Sequence, residues 1–166
     1  MSAPQPAPAF TLDHINGYPV SLGDFRGRVV VVLFGGRNSA EQTRQIARTL
    51  GARYSLDQLP VLSILDMSGV PRLMQGIIKG QIQKIHQEAV QEMVRDNQAA
   101  GLPVPADPAR AICMLPDWDG KVIASFGVSG VDRQAVAVLV DAEGAIRGYG
   151  AGAQGGEQIL AAFSGA

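Results

Sequence analysis

Residues 29–34 read Val-Val-Val-Val-Leu-Phe, an unbroken apolar run rich in β-branched side chains. It is far too short to span a bilayer. A run with no polar alternation is the pattern of a strand buried on both faces. Such a strand lies inside a sheet covered by helices, so this segment alone points to a layered α/β arrangement. Gly35-Gly36 break the run, and a helix is predicted from about Ser39 to Tyr54, with Ile46, Leu50 and Tyr54 on its apolar face. Val61–Leu65 is a second buried strand.

Pro71 then opens a long helical segment over about 71–100, since proline suits a first helical turn. Met74, Ile78, Ile82, Ile85, Ala89 and Met93 form its stripe, and His86 falls at the stripe's edge as a solvated residue. Residues 104–110 read as a loop, and Ile112–Leu115 as a short strand. A turn through Trp118 leads to a short helix that Asp119 caps, with Trp118 packing over it. Val136–Val140 and Ile146–Tyr149 form a late hairpin, and a last helix covers about Glu157–Phe163. Upstream, Asn16-Gly17 turns a small hairpin over Phe10–Val20, because both residues tolerate positive φ. The prolines among the first ten residues suggest an extended lead-in. The whole is expected to be one domain, residues 1–166, with a mixed central sheet and helices on both faces.

The chain carries 14 Lys and Arg against 15 Asp and Glu, so it has no electrostatic footprint for nucleic acid. The opening residues lack the basic-then-apolar order of a signal peptide. The expected location is the cytoplasm, the alternative being a chain from which a leader has been removed. One cysteine, Cys113, allows no internal disulfide. His14 and His86 are far apart in sequence and show no metal-ligand spacing, so neither metal nor cofactor is expected.

Three separated stretches resemble one known group. Pro8-Ala9-Phe10-Thr11-Leu12, Asn16 to Leu22 and Phe25 to Phe34 are similar to the opening of the redoxin (peroxiredoxin-like) group of the thioredoxin superfamily. Asp117-Trp118-Asp119-Gly120-Lys121-Val122 with Phe126-Gly127-Val128 resembles its middle turn and helix, and Val138 to Ile146 its late hairpin. The resemblance implies a thioredoxin-like three-layer α/β/α fold with an N-terminal hairpin, in which the 71–100 helix is an insertion. It also implies a Cys-x-x-Cys, or a single nucleophilic cysteine, at the start of the first long helix. Ser39-Ala40-Glu41-Gln42 stands in that register instead. Gln134-Ala135-Val136 stands where the group has a cis-proline, and an ordinary trans peptide is expected there, since a cis bond without proline costs about 3 kcal/mol.

A helix N-terminus activates a thiol by lowering its pKa, whereas a serine hydroxyl stays protonated. Thiol redox chemistry is therefore not expected at Ser39 and Gln42. Their spacing suggests a capping box, the serine capping the helix start and the glutamine reaching back. The rival role is an anion or polar-ligand site formed by Arg37, Asn38 and Ser39 with Asp132 and Arg133 from the loop before the late strand. Cys113 is expected to be a small buried core residue, its rival role being an atypical thiol peroxidase or oxidoreductase nucleophile beside Arg110. Gly150, Gly152, Gly155 and Gly156 lack the P-loop lysine and read as a flexible turn.

The favoured function is a non-redox binding or assembly protein on a degenerate thioredoxin-like scaffold. An atypical Cys113 enzyme and an unrelated enzyme or anion site at Ser39 are the alternatives. The helix over about 71–100 is the expected contact for a homodimer or protein partner. Gly76 and Gly80 would permit close helix packing there, and membrane contact is not expected.

Overall fold

A computed structural model describes residues 4–165. The extended lead-in starts in residues outside that range, but its later part is pinned. Ala7 N–H donates to Gly144, Ile146 N–H donates to Gln5, and Pro6 bridges Ala145.

The N-terminal hairpin pairs β1 (Thr11–Asp13) with β2 (Pro19–Ser21), with Gly17 at φ 96° in the turn. β3 (Val30–Gly35) is the middle strand of a five-stranded sheet and is buried along its whole length. It runs parallel to β4 (Val61–Asp66), which runs parallel to β5 (Cys113–Asp117). On its other side β3 pairs antiparallel with β6 (Val136–Val140), which pairs with β7 (Ile146–Ala151). The spatial order is β5-β4-β3-β6-β7, a mixed sheet.

The pleat of β3 splits the core between the two faces of the sheet. Val31 and Leu33 point to one face, where α1 (Ala40–Gly51) and α5 (Gly155–Ser164) contribute Ile46, Leu50, Ile159 and Leu160. Val32 and Phe34 point to the other, against the hairpin and α4 (Lys121–Ser125), with Phe10, Val20, Ile123 and Phe126.

The long helix α2 (Gln75–Ala100) has 26 residues and ends at Gly101, whose φ of 70° supplies the left-handed cap. At 1.5 Å per residue it is about 39 Å long. It passes the β5 edge of the sheet, tied through Gln83 to the Ile15 carbonyl and through His86 to the segment before β5. Its inward face keeps Ile78, Ile82, Ala89 and Met93 of the expected stripe but not Met74 or Ile85. Ile82, His86 and Asn97 are the buried residues, while Ile85 is 51 % exposed. The helix turns toward polar acceptors on the loop ahead of β5, so a histidine takes the inward place assigned to an isoleucine. Residues 108–110, read as loop, belong to a short helix, α3 (Pro108–Ala111), with Asp107 capping it.

The glycine-rich stretch before α5 is closely packed rather than a flexible turn. A Cβ on Gly150 would lie 2.3 Å from the Gly155 carbonyl oxygen, and one on Gly156 would lie 2.7 Å from Thr49 Cβ. These glycines let α5 approach both α1 and β7.

Candidate functional site

β3 ends at Gly35, and the chain passes through Gly36 and a single 3-10 turn, Arg37–Ser39, into α1. The loop carrying Val131 to Ala135 leads into β6 beside it. Ser39 is buried and does not cap α1. Its hydroxyl donates to the Val131 carbonyl at 2.5 Å and accepts the Gly36 N–H at 2.9 Å. Gln42 does not reach back to the helix start either. Its side-chain oxygen accepts the Ala135 N–H at 2.8 Å. The capping-box expectation is therefore corrected. Both side chains serve a loop more than ninety positions later, whose buried backbone groups have greater need of partners than the solvent-facing helix end.

Asn38, Ser39 and Asp132 do come together. The Asp132 carboxylate accepts the backbone N–H of Asn38 at 3.0 Å and its side-chain amide at 2.6 Å. These bonds, the Asn38 N–H first, hold the Asp132 carboxyl below its ordinary pKa. The chain thus places its own carboxylate on the donors that an external anion would use. Gly36 is the close-approach point, since a Cβ there would lie 3.0 Å from Asp132 Cα. Arg37 and Arg133 are both exposed.

Cys113 lies elsewhere, at the start of β5 among Leu62, Leu115 and other core side chains. Burial pushes its thiol up to about 12, leaving almost no thiolate at neutral pH. Arg110 does not activate it. The guanidinium stacks over the Tyr18 ring, 4.2 Å from its centre.

Two features escaped the sequence. His14 and His86, read as unrelated and the latter as solvated, are both buried and meet edge to face with ring centres 5.0 Å apart. Asp117, read as part of a turn, is fully buried at the end of β5. One carboxyl oxygen accepts the Ile123 N–H at 3.0 Å, anchoring α4, while Asp119 accepts the Lys121 N–H. Asp117's other oxygen receives no hydrogen bond from the described residues. Burial, above all, and the neighbouring Asp119 push the Asp117 carboxyl up, opposed by the Ile123 bond. A cavity of about 300 Å³ lies beside it, lined by Thr11–Ile15, Lys79 and Pro116–Asp119. Among the described residues, no group of three or more His, Cys, Asp or Glu side chains is placed to hold a metal ion. No helix among them is long and apolar enough to cross a membrane.

No family model matches the chain, and no curated protein matches it. Solved structures do. An exposed lipoprotein thioredoxin of Streptococcus pneumoniae superposes with a TM-score of 0.65 at 18% identity, over 96% of this chain and 100% of that one. A thiol:disulfide interchange protein of the thioredoxin family from Chlorobium tepidum gives 0.58 at 15% identity, over 100% and 98%. A secreted disulfide oxidoreductase of Mycobacterium tuberculosis gives 0.55 at 14% identity, over 95% and 96%. Sheet order, hairpin and near-complete mutual coverage agree: the chain has the thioredoxin-like fold.

Proposed function

We propose that this chain does no thiol redox chemistry and acts by binding, with a second copy of itself as its partner. The observation that carries this reading is the use of Ser39 and Gln42. At the helix start where the redoxin resemblance implies a reactive thiol, both side chains are committed to internal bonds with Val131 and Ala135. The one thiol, Cys113, is buried and protonated. Within the superfamily the local wording of the sequence favours the redoxin group, and we assign the protein to the cytoplasm.

The outward ridge of α2 supplies the partner surface. Ile77, Gln81, Lys84 and Glu88 follow one another along it, all exposed, and Leu73 just ahead of the helix is 96 % exposed. In an antiparallel pair whose two-fold axis passes level with His86, Lys84 of each copy faces Glu88 of the other.

Two assays test the two halves. Insulin reduction and peroxide consumption with dithiothreitol are expected to stay at the level of heat-treated protein. Turnover that disappears in Cys113→Ala would overturn the non-redox half. Light scattering is expected to give a dimer that Glu88→Lys weakens and Lys84→Glu/Glu88→Lys restores. A monomer at every concentration would overturn the binding half.

A further inference from the structure

His14 belongs to the hairpin and His86 to the middle of α2, and each is at most 2 % exposed. Both rings donate from Nε2 to a single acceptor, the Ile112 carbonyl, at 3.1 and 2.8 Å. His86 Nε2 also lies 2.9 Å from the Ala109 carbonyl. A carbonyl only accepts, so both Nε2 atoms carry a proton. His14 Nδ1 accepts the Asn16 N–H at 3.0 Å, which requires that ring to be neutral.

The surroundings oppose a positive charge. Tyr18 stacks on His14 with ring centres 4.4 Å apart, and Arg110 of α3 covers the Tyr18 ring. Asp107, the cap of α3, bears on Tyr18. Arg110 disfavours the His14 cation, as would a proton on His86, and Asp13, Lys79, Asp117 and Asp119 line the cavity that His14 also borders.

We propose that the His14–His86 pair is a proton-operated clasp that holds the first half of α2 against the body and releases it on mild acidification. A proton on His14 Nδ1 ejects the Asn16 N–H and sets a buried positive charge beside His86 and Arg110. Apart from the buried Ile82 side chain, three polar ties of α2 remain among the described residues. Gln83 donates to Ile15 at 3.2 Å, Arg48 pairs with Glu92 at the surface, and Asn97 donates to Pro103 at 3.0 Å. Release therefore frees residues from Gln75 to about Glu88, while Asn97 retains the helix end.

The sign follows from His14, whose proton affinity is lowered in the docked state, chiefly by burial. The released state binds the proton more tightly, so docking is favoured above the ordinary histidine pKa of ~6.5 and weakens as pH falls below it.

Hydrogen exchange on the intact chain tests this, compared at about pH 7.5 and about pH 5 after correction for intrinsic rates. Amides from Ile77 to Glu88 are expected to lose about tenfold in protection, while Val30–Phe34 keep theirs. His14→Gln/His86→Gln, whose amides can still donate to Ile112, is expected to abolish the pH response. Unchanged α2 protection overturns the clasp, as does an equal loss in the central strands or a response that survives in the double variant. Should that variant not fold, histidine NMR titration of the unaltered chain replaces it. Helix release without concurrent histidine protonation then overturns the proposal.

Discussion

The side-chain oxygen of Gln42 sits 2.8 Å from the amide nitrogen of Ala135, tying the first turn of α1 to the residue that begins the descent into β6. Ala135 is fully buried, so its N–H has no route to water. Gln42→Leu leaves that donor unpaired and is expected to cost about 1–3 kcal/mol in urea unfolding. Gln42→Glu keeps an acceptor and is expected to recover most of the loss. An unchanged midpoint for the leucine variant would show that the bond contributes nothing net.

Asp117 is a carboxyl held where a charge is poorly solvated, with its pKa raised chiefly by burial. Asp117→Asn keeps an oxygen for the Ile123 N–H and replaces the unbonded oxygen with a donor for Asp119. We expect the variant to be more stable at neutral pH by on the order of 1 kcal/mol. A raised carboxyl pKa means the folded wild-type chain gains protons as pH falls, so the advantage should shrink through that range. Thermal unfolding across pH distinguishes this from a constant offset.

The Cys113 thiol, with a pKa of about 12, should react with a thiol reagent about a thousandfold more slowly in the folded chain than in denaturant. Stoichiometric labelling under native conditions within seconds would mean that β5 opens readily.

Glycines of one sequence type should respond in opposite directions. Gly156→Ala places a Cβ 2.7 Å from Thr49 Cβ, between two packed helices, and is expected to cost about 1–3 kcal/mol. At Gly80 on α2 a Cβ meets nothing within 4 Å. Gly80→Ala should therefore stabilise the isolated chain by roughly 0.5–1 kcal/mol through helix propensity. Melting curves of the two variants provide the comparison.

What the sequence disclosed was whatever local chemistry decides. Asn16-Gly17 demanded a tight turn, the run through Val29–Phe34 a buried strand, and Gly101 a helix stop, and each is found there. What stayed hidden depends on partners distant along the chain. Ser39 and Gln42 carry a local capping signal, yet the unpaired backbone of residues 131–135 takes them. Periodicity places an apolar stripe on α2 but cannot choose which side of it faces inward. The Ile112 carbonyl made that choice, bringing His86 in and leaving Ile85 out. Asp117 looks like any turn residue until β5 is seen to run on through it.

The central position of β3 also bears on how the protein is made. One edge of this wholly apolar strand finds β4 within a short stretch of chain, but its other edge pairs Val30 with Val140. At typical elongation rates of roughly 5–20 residues per second, the ribosome needs on the order of ten seconds to deliver β6 after β3. During that interval the nascent chain presents a bare, sticky strand edge of the kind that templates aggregation. Newly synthesised protein should therefore depend on chaperone cover during translation, even though the finished sheet hides that edge completely.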